Sequence, residues 1–203
     1  MKANAGPCAW AIRGGAPAQL ENSAADLKAG GIAVETEKAG RKRADGVDLK
    51  WETARIGPPP QGSFFPFMIA DQTPRDLRAF PSGQPTAPQV SAVRYVVVAV
   101  ADLAGAVAKY RAAFGLPPPE RQDDPALGAH LAWFQGASVI LAAPARSSGW
   151  LASRLKQFGE IPCAFVLGAP SWPARGATST WFGQTFAWLD SSKLAGAKIA
   201  IAP

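Results

Sequence analysis

The order of the predicted secondary-structure elements constrains the fold of this chain more than any other feature. A strand, a helix and two further strands are predicted twice, at a separation of roughly 85 residues. In the second copy, residues 93–100 form an almost continuous β-branched run that is typical of a central strand. Asp102 follows as a predicted helix N-cap, and Gly115 ends the helical pattern. The order favours an internal duplication over two unrelated domains.

The first copy lies near the start of the sequence. Residues 8–13 predict a short strand, and a helix follows from Pro17 until Gly30 and Gly31 stop its apolar pattern. Residues 47–56 alternate apolar and polar side chains, the period of two that buries one face of a sheet. The next strand is predicted at residues 64–69.

Further elements are predicted after the second helix. The strands are expected at residues 129–134, 138–142, 161–167 and 185–189, and a helix at 150–158. We place a first βαβββ unit at residues 1–80, a proline-rich linker at 81–91, and a second unit with a partial third at 92–203. The predicted fold class is α+β, with repeated βαβββ units that form a curled, cupped mixed sheet and helices on its convex face.

Composition excludes several classes of protein. The two cysteines, Cys8 and Cys163, match no zinc pattern and are too few for a disulfide scaffold. No apolar run approaches the roughly 18 residues that a membrane helix needs, and the first residues lack a secretory pattern. We therefore expect a cytoplasmic protein without membrane contact. The net charge of +6 comes from scattered basic residues, so nucleic-acid binding ranks last among the functions considered.

Several short motifs resemble one known superfamily. In the second copy the motifs are residues 93–103, 108–110 and 114–116. In the first copy, residues 40–51 carry an arginine, an Asp-Gly pair and a tryptophan, and residues 66–69 begin with a Pro-Phe pair. In this order, the motifs resemble glyoxalase-like proteins of the vicinal-oxygen-chelate superfamily. Proteins of this kind usually carry another unit before the first one seen here, so the resemblance implies a shortened or diverged member.

The resemblance implies that two units pair into a cupped sheet, which holds a divalent metal and a substrate with adjacent oxygens. The position of the metal histidine maps to Tyr95, and that of the companion glutamate maps to Ile140. In the first copy, the same spacing places the histidine position on or near Ala9, and residues 64–69, where the glutamate is expected, carry no carboxylate. Because the chain has 1 histidine, a two-histidine site cannot form within one copy. We expect the metal ligands not to be retained, and no cofactor.

Two residues are candidates for direct chemistry. Tyr95 occupies the mapped metal position, where its phenol could donate a hydrogen bond to a ligand oxygen; a core tyrosine bonded elsewhere is the alternative. His130, on the strand predicted at residues 129–134, could act as a general acid or base if it faces the cup. A histidine with a structural or edge role is the alternative for that position.

Four residues are candidates for ligand binding. Arg41 and Arg43 could clamp a carboxylate or phosphate, since a guanidinium offers a planar pair of donors; solvated charges beside a hairpin are the alternative. Trp51 and Trp133 could form flat platforms for a ligand, or could belong to the core of a strand face.

Three functions follow from these observations. The first is a glyoxalase-like protein that binds a small molecule in a metal-free cup. The second is a lyase, isomerase or dioxygenase relative that completes its site in a homodimer or uses His130 and Tyr95 directly. The third is a basic module that binds nucleic acid or a protein partner. We expect a small-molecule ligand, and a homodimer because the resembling proteins often pair units between chains.

Overall fold

The chain forms two compact units, each built around one β-sheet. The computed structural model describes residues 6–79, 89–171 and 176–202. One unit is Ala9–Thr86, here called the four-stranded unit; the other joins Met1–Cys8 to Ala87–Pro203 and is called the eight-stranded unit. The predicted linker lies mostly within residues 80–88, outside the described residues.

The four-stranded unit is one βαβββ arrangement. Its elements are β1 (Ala11–Arg13), α1 (Pro17–Ala29), β2 (Val34–Lys42), β3 (Asp48–Ile56), β4 (Phe67–Asp71) and the short helix α2 (Arg75–Arg78). The strand order is β1-β4-β3-β2, with β1 parallel to β4 and the other pairs antiparallel. The crossover helix α1 buries Leu20, Ala24 and Leu27 at helical spacing, which is the pattern that the sequence predicts.

The eight-stranded unit uses the same strand order twice. Its elements are β5 (Ala92–Ala99), α3 (Leu103–Phe114), β6 (Glu120–Asp124), β7 (Ala129–Trp133), β8 (Val139–Pro144), α4 (Trp150–Phe158), β9 (Pro162–Gly168), β10 (Thr178–Trp181), β11 (Gln184–Trp188) and β12 (Lys198–Ala202). The order β5-β8-β7-β6 continues as β9-β12-β11-β10, and the two halves meet where β5 pairs antiparallel with β9. The first strand of each half is parallel to the last strand of that half.

Helix α3 covers one face of this sheet. The Asp102 carboxylate accepts a hydrogen bond from the Ala104 amide at 3.0 Å, and Gly115 adopts a left-handed conformation at the C-terminal end, so both predicted ends of the helix are confirmed. Tyr110 is buried under the helix and stacks on Phe134, with ring centroids 6.1 Å apart. No helix within the described residues is long and apolar enough to cross a membrane.

Side chains join the two outer strands of this sheet and nearly close it. Gln122 on β6 donates from Nε2 to the Thr180 carbonyl at 2.6 Å, and its Oε1 accepts from the Phe182 amide at 2.7 Å. The Trp181 indole donates to the Asp124 carboxylate across the same seam. One amide side chain thus takes the place of a strand pairing between β6 and β10. The mixed α+β fold with a curled sheet, predicted from the sequence, is confirmed.

Four strands have no counterpart among the predicted elements: β2, β6, β10 and β12. β2 and β6 occupy the same place in their units, directly after the helix and at an outer edge of the sheet. Most of their side chains are exposed, so neither strand has the apolar alternation from which a half-buried strand is predicted.

Candidate functional site

The curled eight-stranded sheet encloses an apolar cluster on the face opposite α3. Alternate residues of β5 point into it, since successive side chains of a strand lie on opposite faces. From β5 these are Tyr95, Val97 and Ala99. Other strands contribute large apolar side chains, among them Leu131, Ile140, Val166, Trp181 and Phe186, and Leu151 of α4 packs against them.

Tyr95, which the resemblance maps to the metal position, lies inside this cluster and is 7% exposed. Its ring packs edge to face against Trp133 and Phe186, each with a centroid distance of 6.1 Å. Its hydroxyl oxygen accepts a hydrogen bond from Nε2 of Gln184 at 3.0 Å. The phenol is therefore positioned toward the interior and oriented by an amide from β11.

The residues at the two mapped metal positions do not fit a divalent cation. Ile140 lies in the same cluster as Tyr95, so both positions face the interior, but one carries an alkyl chain and the other a phenol bound to Gln184. A divalent metal needs several nitrogen, oxygen or thiolate ligands at about 2 Å. Among the described residues, no group of three or more His, Cys, Asp or Glu side chains could hold a metal ion.

A cleft of about 400 Å³ opens at one end of the curled sheet. Its lining combines apolar side chains with a few polar ones: Ala126, Leu127, Gly176, Ala177, Trp188, Leu189, Asp190, Ser191 and Lys198. The volume falls in the range of roughly 300–1,000 Å³ that small-molecule sites occupy. None of these residues is singled out by the sequence motifs.

Among the described residues that line this cleft, Lys198 is the cation. It begins β12, whose alternate residues Ala200 and Ala202 belong to the interior cluster, so its side chain lies on the same inner face. Its ammonium nitrogen lies 5.0 Å from the centroid of the Trp150 ring and 5.7 Å from that of Trp188. Both distances are within the reach of a cation–π contact.

Asp124 fixes the loop that forms one wall of the cleft. This carboxylate is 6% exposed and accepts hydrogen bonds from the amides of Ala126 and Leu127 at 2.7 and 2.9 Å. Burial alone would raise the pKa of Asp124, but bonds from Leu127, Trp181, Ser179 and Ala126 outweigh it and lower the pKa. Asp124 is therefore a charged structural anchor beside the cleft.

His130 lies on the other face of the sheet from Tyr95. Its neighbours Ala129 and Leu131 belong to the interior cluster, so His130 points away from it and is exposed. Its Nδ1 lies 2.6 Å from an oxygen of Asp123, its cross-strand partner on β6. His130 could act in the cup only if it faced the interior, and it does not. His130 and Tyr95 therefore cannot act together on one molecule bound there.

Trp133 does face the interior, at the end where Tyr95 lies. It is partly buried, its indole donates to the Ala137 carbonyl at 2.9 Å, and its ring lies 5.6 Å from that of Phe182. A platform role for Trp133 stays a prediction.

The other three candidates belong to the four-stranded unit. Arg41 is exposed on β2. The Arg43 guanidinium donates to the Leu77 carbonyl at 3.0 Å and to the Asp45 carboxylate at 2.5 Å, which ties the hairpin to α2. Trp51 is half-buried, with the guanidinium of Arg78 at 6.0 Å from its ring centroid. Their predicted roles in ligand binding stay predictions.

A second, more polar cleft of about 450 Å³ lies in the four-stranded unit, at the ends of β1 and β4. Arg13, Asp71 and Arg75 are among the residues that line it. Asp71 forms a two-pronged ion pair with Arg78, and this hydrogen bond is the main cause of the lowered pKa of the Asp71 carboxyl. Arg75 lies 3.9 Å from the same carboxylate, so Asp71 is shared between two arginines.

Comparison with known proteins gives a family match for part of the sequence and structural matches for the fold. Residues 1–94 match the family described as glyoxalase-like domain. Methylmalonyl-CoA epimerase from Mycobacterium tuberculosis, a vicinal-oxygen-chelate protein, shares 17% identity at a TM-score of 0.50, over 59% of this chain and 91% of the epimerase. A hypothetical protein from Staphylococcus aureus shares 12% identity at a TM-score of 0.54, over 91% of this chain and 62% of that protein. A comparison with curated proteins gave no match.

Proposed function

We propose that the chain, whose residues 1–94 match a glyoxalase-like domain and whose fold resembles that of vicinal-oxygen-chelate proteins, binds a small organic molecule in the eight-stranded unit without a bound metal. The observation that carries the proposal is the cleft of about 400 Å³ at the end of the curled sheet. It combines apolar walls with few polar groups, which is typical of small-molecule sites.

Metal independence is supported by the chemistry of the interior. The side chains at Tyr95 and Ile140 offer no carboxylate, imidazole or thiolate, and Tyr95 already bonds Gln184. The forces available to hold a ligand in the cleft are apolar contact with Leu127 and Trp188 and the charge of Lys198. None of these needs a metal ion.

Two bicyclic probes of the same shape test this proposal: naphthalene-2-carboxamide, which is neutral, and naphthalene-2-carboxylate. Isothermal titration calorimetry should show saturable binding of at least one probe, at one site per chain, with an unchanged dissociation constant after EDTA treatment. Ala126→Trp should abolish binding, because Ala126 is exposed at the cleft wall and a tryptophan there fills the space.

Ala112→Trp is the matched control, since Ala112 is exposed on α3 and does not line the cleft. Binding that survives Ala126→Trp would place the ligand elsewhere and overturn the proposal. So would binding that EDTA removes and added metal restores, or the failure of both probes to bind.

An enzymatic role through His130 and Tyr95 has weaker support. The two side chains lie on opposite faces of one sheet, and the imidazole is paired with Asp123. His130→Ala should therefore leave probe binding in the cleft unchanged within about twofold, because a side chain on the outer face makes no contact with the inner face. Loss of binding in a folded His130→Ala variant would contradict this assignment.

A further inference from the structure

Lys198 is a cation in mainly apolar surroundings. Ala200 and Ala202 follow it on the inner face of β12, and two indole rings flank its ammonium group. Among the residues that the structure describes, no carboxylate forms an ion pair with Lys198. Moving an ammonium group out of water costs free energy unless charge and hydrogen bonds replace the water. Indole rings supply only part of that replacement, because a π-face accepts no conventional hydrogen bond.

Two acidic groups in this region, Cys163 and Asp190, form no ion pair with Lys198 among the described contacts. Burial raises the pKa of the Cys163 thiol to about 12, so this neighbour is neutral at physiological pH. Asp190 also lines the cleft, but its carboxylate accepts bonds from the amide and hydroxyl of Ser192 at 3.0 and 2.6 Å. The ammonium of Lys193 lies 3.9 Å from the same carboxylate, so Asp190 already has a cation other than Lys198 beside it.

A second cation, Arg154, also lies near Trp150. The Arg154 guanidinium lies 6.0 Å from the centroid of the Trp150 ring, whose neighbour is Lys198. Arg154 is buried and donates to the carbonyls of Pro7 and Pro162 at 3.0 and 3.3 Å. Trp150 therefore has cationic side chains beside it from both β12 and its own helix.

The walls of the cleft define what accompanies a bound anion. Leu127 and Trp188 offer apolar surface, and the Trp188 indole is held by a bond of 3.0 Å to the Ser179 hydroxyl. A fixed indole is a suitable surface for a flat apolar group. A hydrated inorganic ion would leave this surface unused, whereas an organic anion uses both the cation and the walls.

We infer that the ligand of the cleft is an organic carboxylate whose charged group binds the Lys198 ammonium and whose apolar body packs on Trp188 and Leu127. This inference rests on the proposed function, because it names the ligand class of the same cleft. It gives Lys198 a specific role: the residue selects for charge, while the aromatic and aliphatic walls select for an apolar body.

The test compares the two naphthalene probes on the intact chain and on lysine variants. The wild-type chain should bind naphthalene-2-carboxylate on the order of tenfold or more tightly than naphthalene-2-carboxamide, since a partly buried charged hydrogen bond contributes more than a neutral one. Lys198→Met keeps most of the aliphatic stem and removes the charge. In this variant both probes should bind with the affinity of the amide, and Lys198→Arg should retain the preference for the carboxylate.

Lys109→Met is the matched control, because it removes one positive charge from an exposed position on α3. It should leave the preference unchanged. Cooperative thermal unfolding of each variant checks that the fold is intact, and Lys198→Gln, a second neutral variant that should also lose the preference, keeps the test decisive if Lys198→Met fails to fold.

The outcomes separate this inference from the proposed function. Equal binding of the two probes, blocked by Ala126→Trp, would overturn the carboxylate inference and leave the proposed function standing. A carboxylate preference that persists in Lys198→Met would likewise overturn the role of Lys198. Failure of both probes to bind would overturn the proposed function itself.

Discussion

Asp124 shows how a single buried charge organises the wall of the candidate site. Its carboxylate accepts bonds from two loop amides and from the Trp181 indole, so it ties β6 to both the loop and β10. Asp124→Asn should lower the free energy of unfolding by about 2–3 kcal/mol, because an amide brings a donor to a place that needs an acceptor. Urea denaturation at neutral pH measures this loss.

Asp123→Asn is the control, since Asp123 is the exposed neighbour paired with His130 and should cost at most about 1 kcal/mol. The pH dependence supplies a second check. The folded pKa of Asp124 is lowered, so its stabilising contribution is complete above its unfolded pKa of about 4 and is lost as pH falls through the folded value. The difference between wild type and Asp124→Asn should therefore shrink below about pH 4; a constant difference would contradict a charged Asp124.

At the scale of elements, the seam between β6 and β10 makes the eight-stranded sheet a nearly closed shell. Gln122 supplies both a donor and an acceptor across it. Gln122→Ala leaves the Thr180 carbonyl and the Phe182 amide without this partner. Hydrogen exchange should accelerate in β6 and β10, while the four-stranded unit should exchange as in the wild type.

Gln135→Ala, at an exposed turn, is the matched control for this element. If exchange in β6 and β10 were the same in both variants, Gln122 would not hold the seam, and other contacts such as the Trp181–Asp124 bond would.

Sequence patterns predict some elements well because an element with one buried face has apolar residues at a regular spacing. The helix predicted at residues 150–158 coincides with α4, and the β-branched run at 93–100 lies within one residue of β5 at each end. Edge strands lack this spacing: β2 and β6 are charged and exposed, so apolar and polar residues do not alternate along them. The conformation of such strands depends on pairing with distant neighbours, which no local pattern reports.

The residues of the candidate site were likewise only partly indicated by the sequence. The motif covers β5, and in the structure Tyr95 lies on the inner face of that strand. Lys198 was missed, since its strand reads as alternating Ile and Ala after one lysine, and its indole partners come from α4 and β11. Alternation alone could have placed Lys198 and Ala200 on one face. Only the folded chain shows that this face is the interior.

At the scale of the whole molecule, β1, β5 and β9 are each the first strand of one of the three groups of four strands, and β1 differs from the other two. β5 and β9 pair with each other, whereas β1 lies at the edge of its sheet and, within the described residues, pairs only with β4. An open strand edge offers backbone donors and acceptors to another strand. A homodimer, expected from the sequence, would satisfy this edge if the β1 strands of two copies paired antiparallel, as β5 and β9 do.

The edge residues indicate how to test this assembly. The Trp10 carbonyl and the Gly14 amide bond to β4, so the backbone groups of Ala11 and Arg13, which alternate with them, point outward. Sedimentation equilibrium should give a mass of twice 21.2 kDa that Ala11→Pro returns to the monomer value, because proline removes an outward donor and spares the bonds to β4. Ala11→Ser, which keeps the amide, should remain dimeric. A wild-type chain that stays monomeric up to its solubility limit would contradict pairing through β1, and the binding site in the eight-stranded unit would then have to function within a single copy.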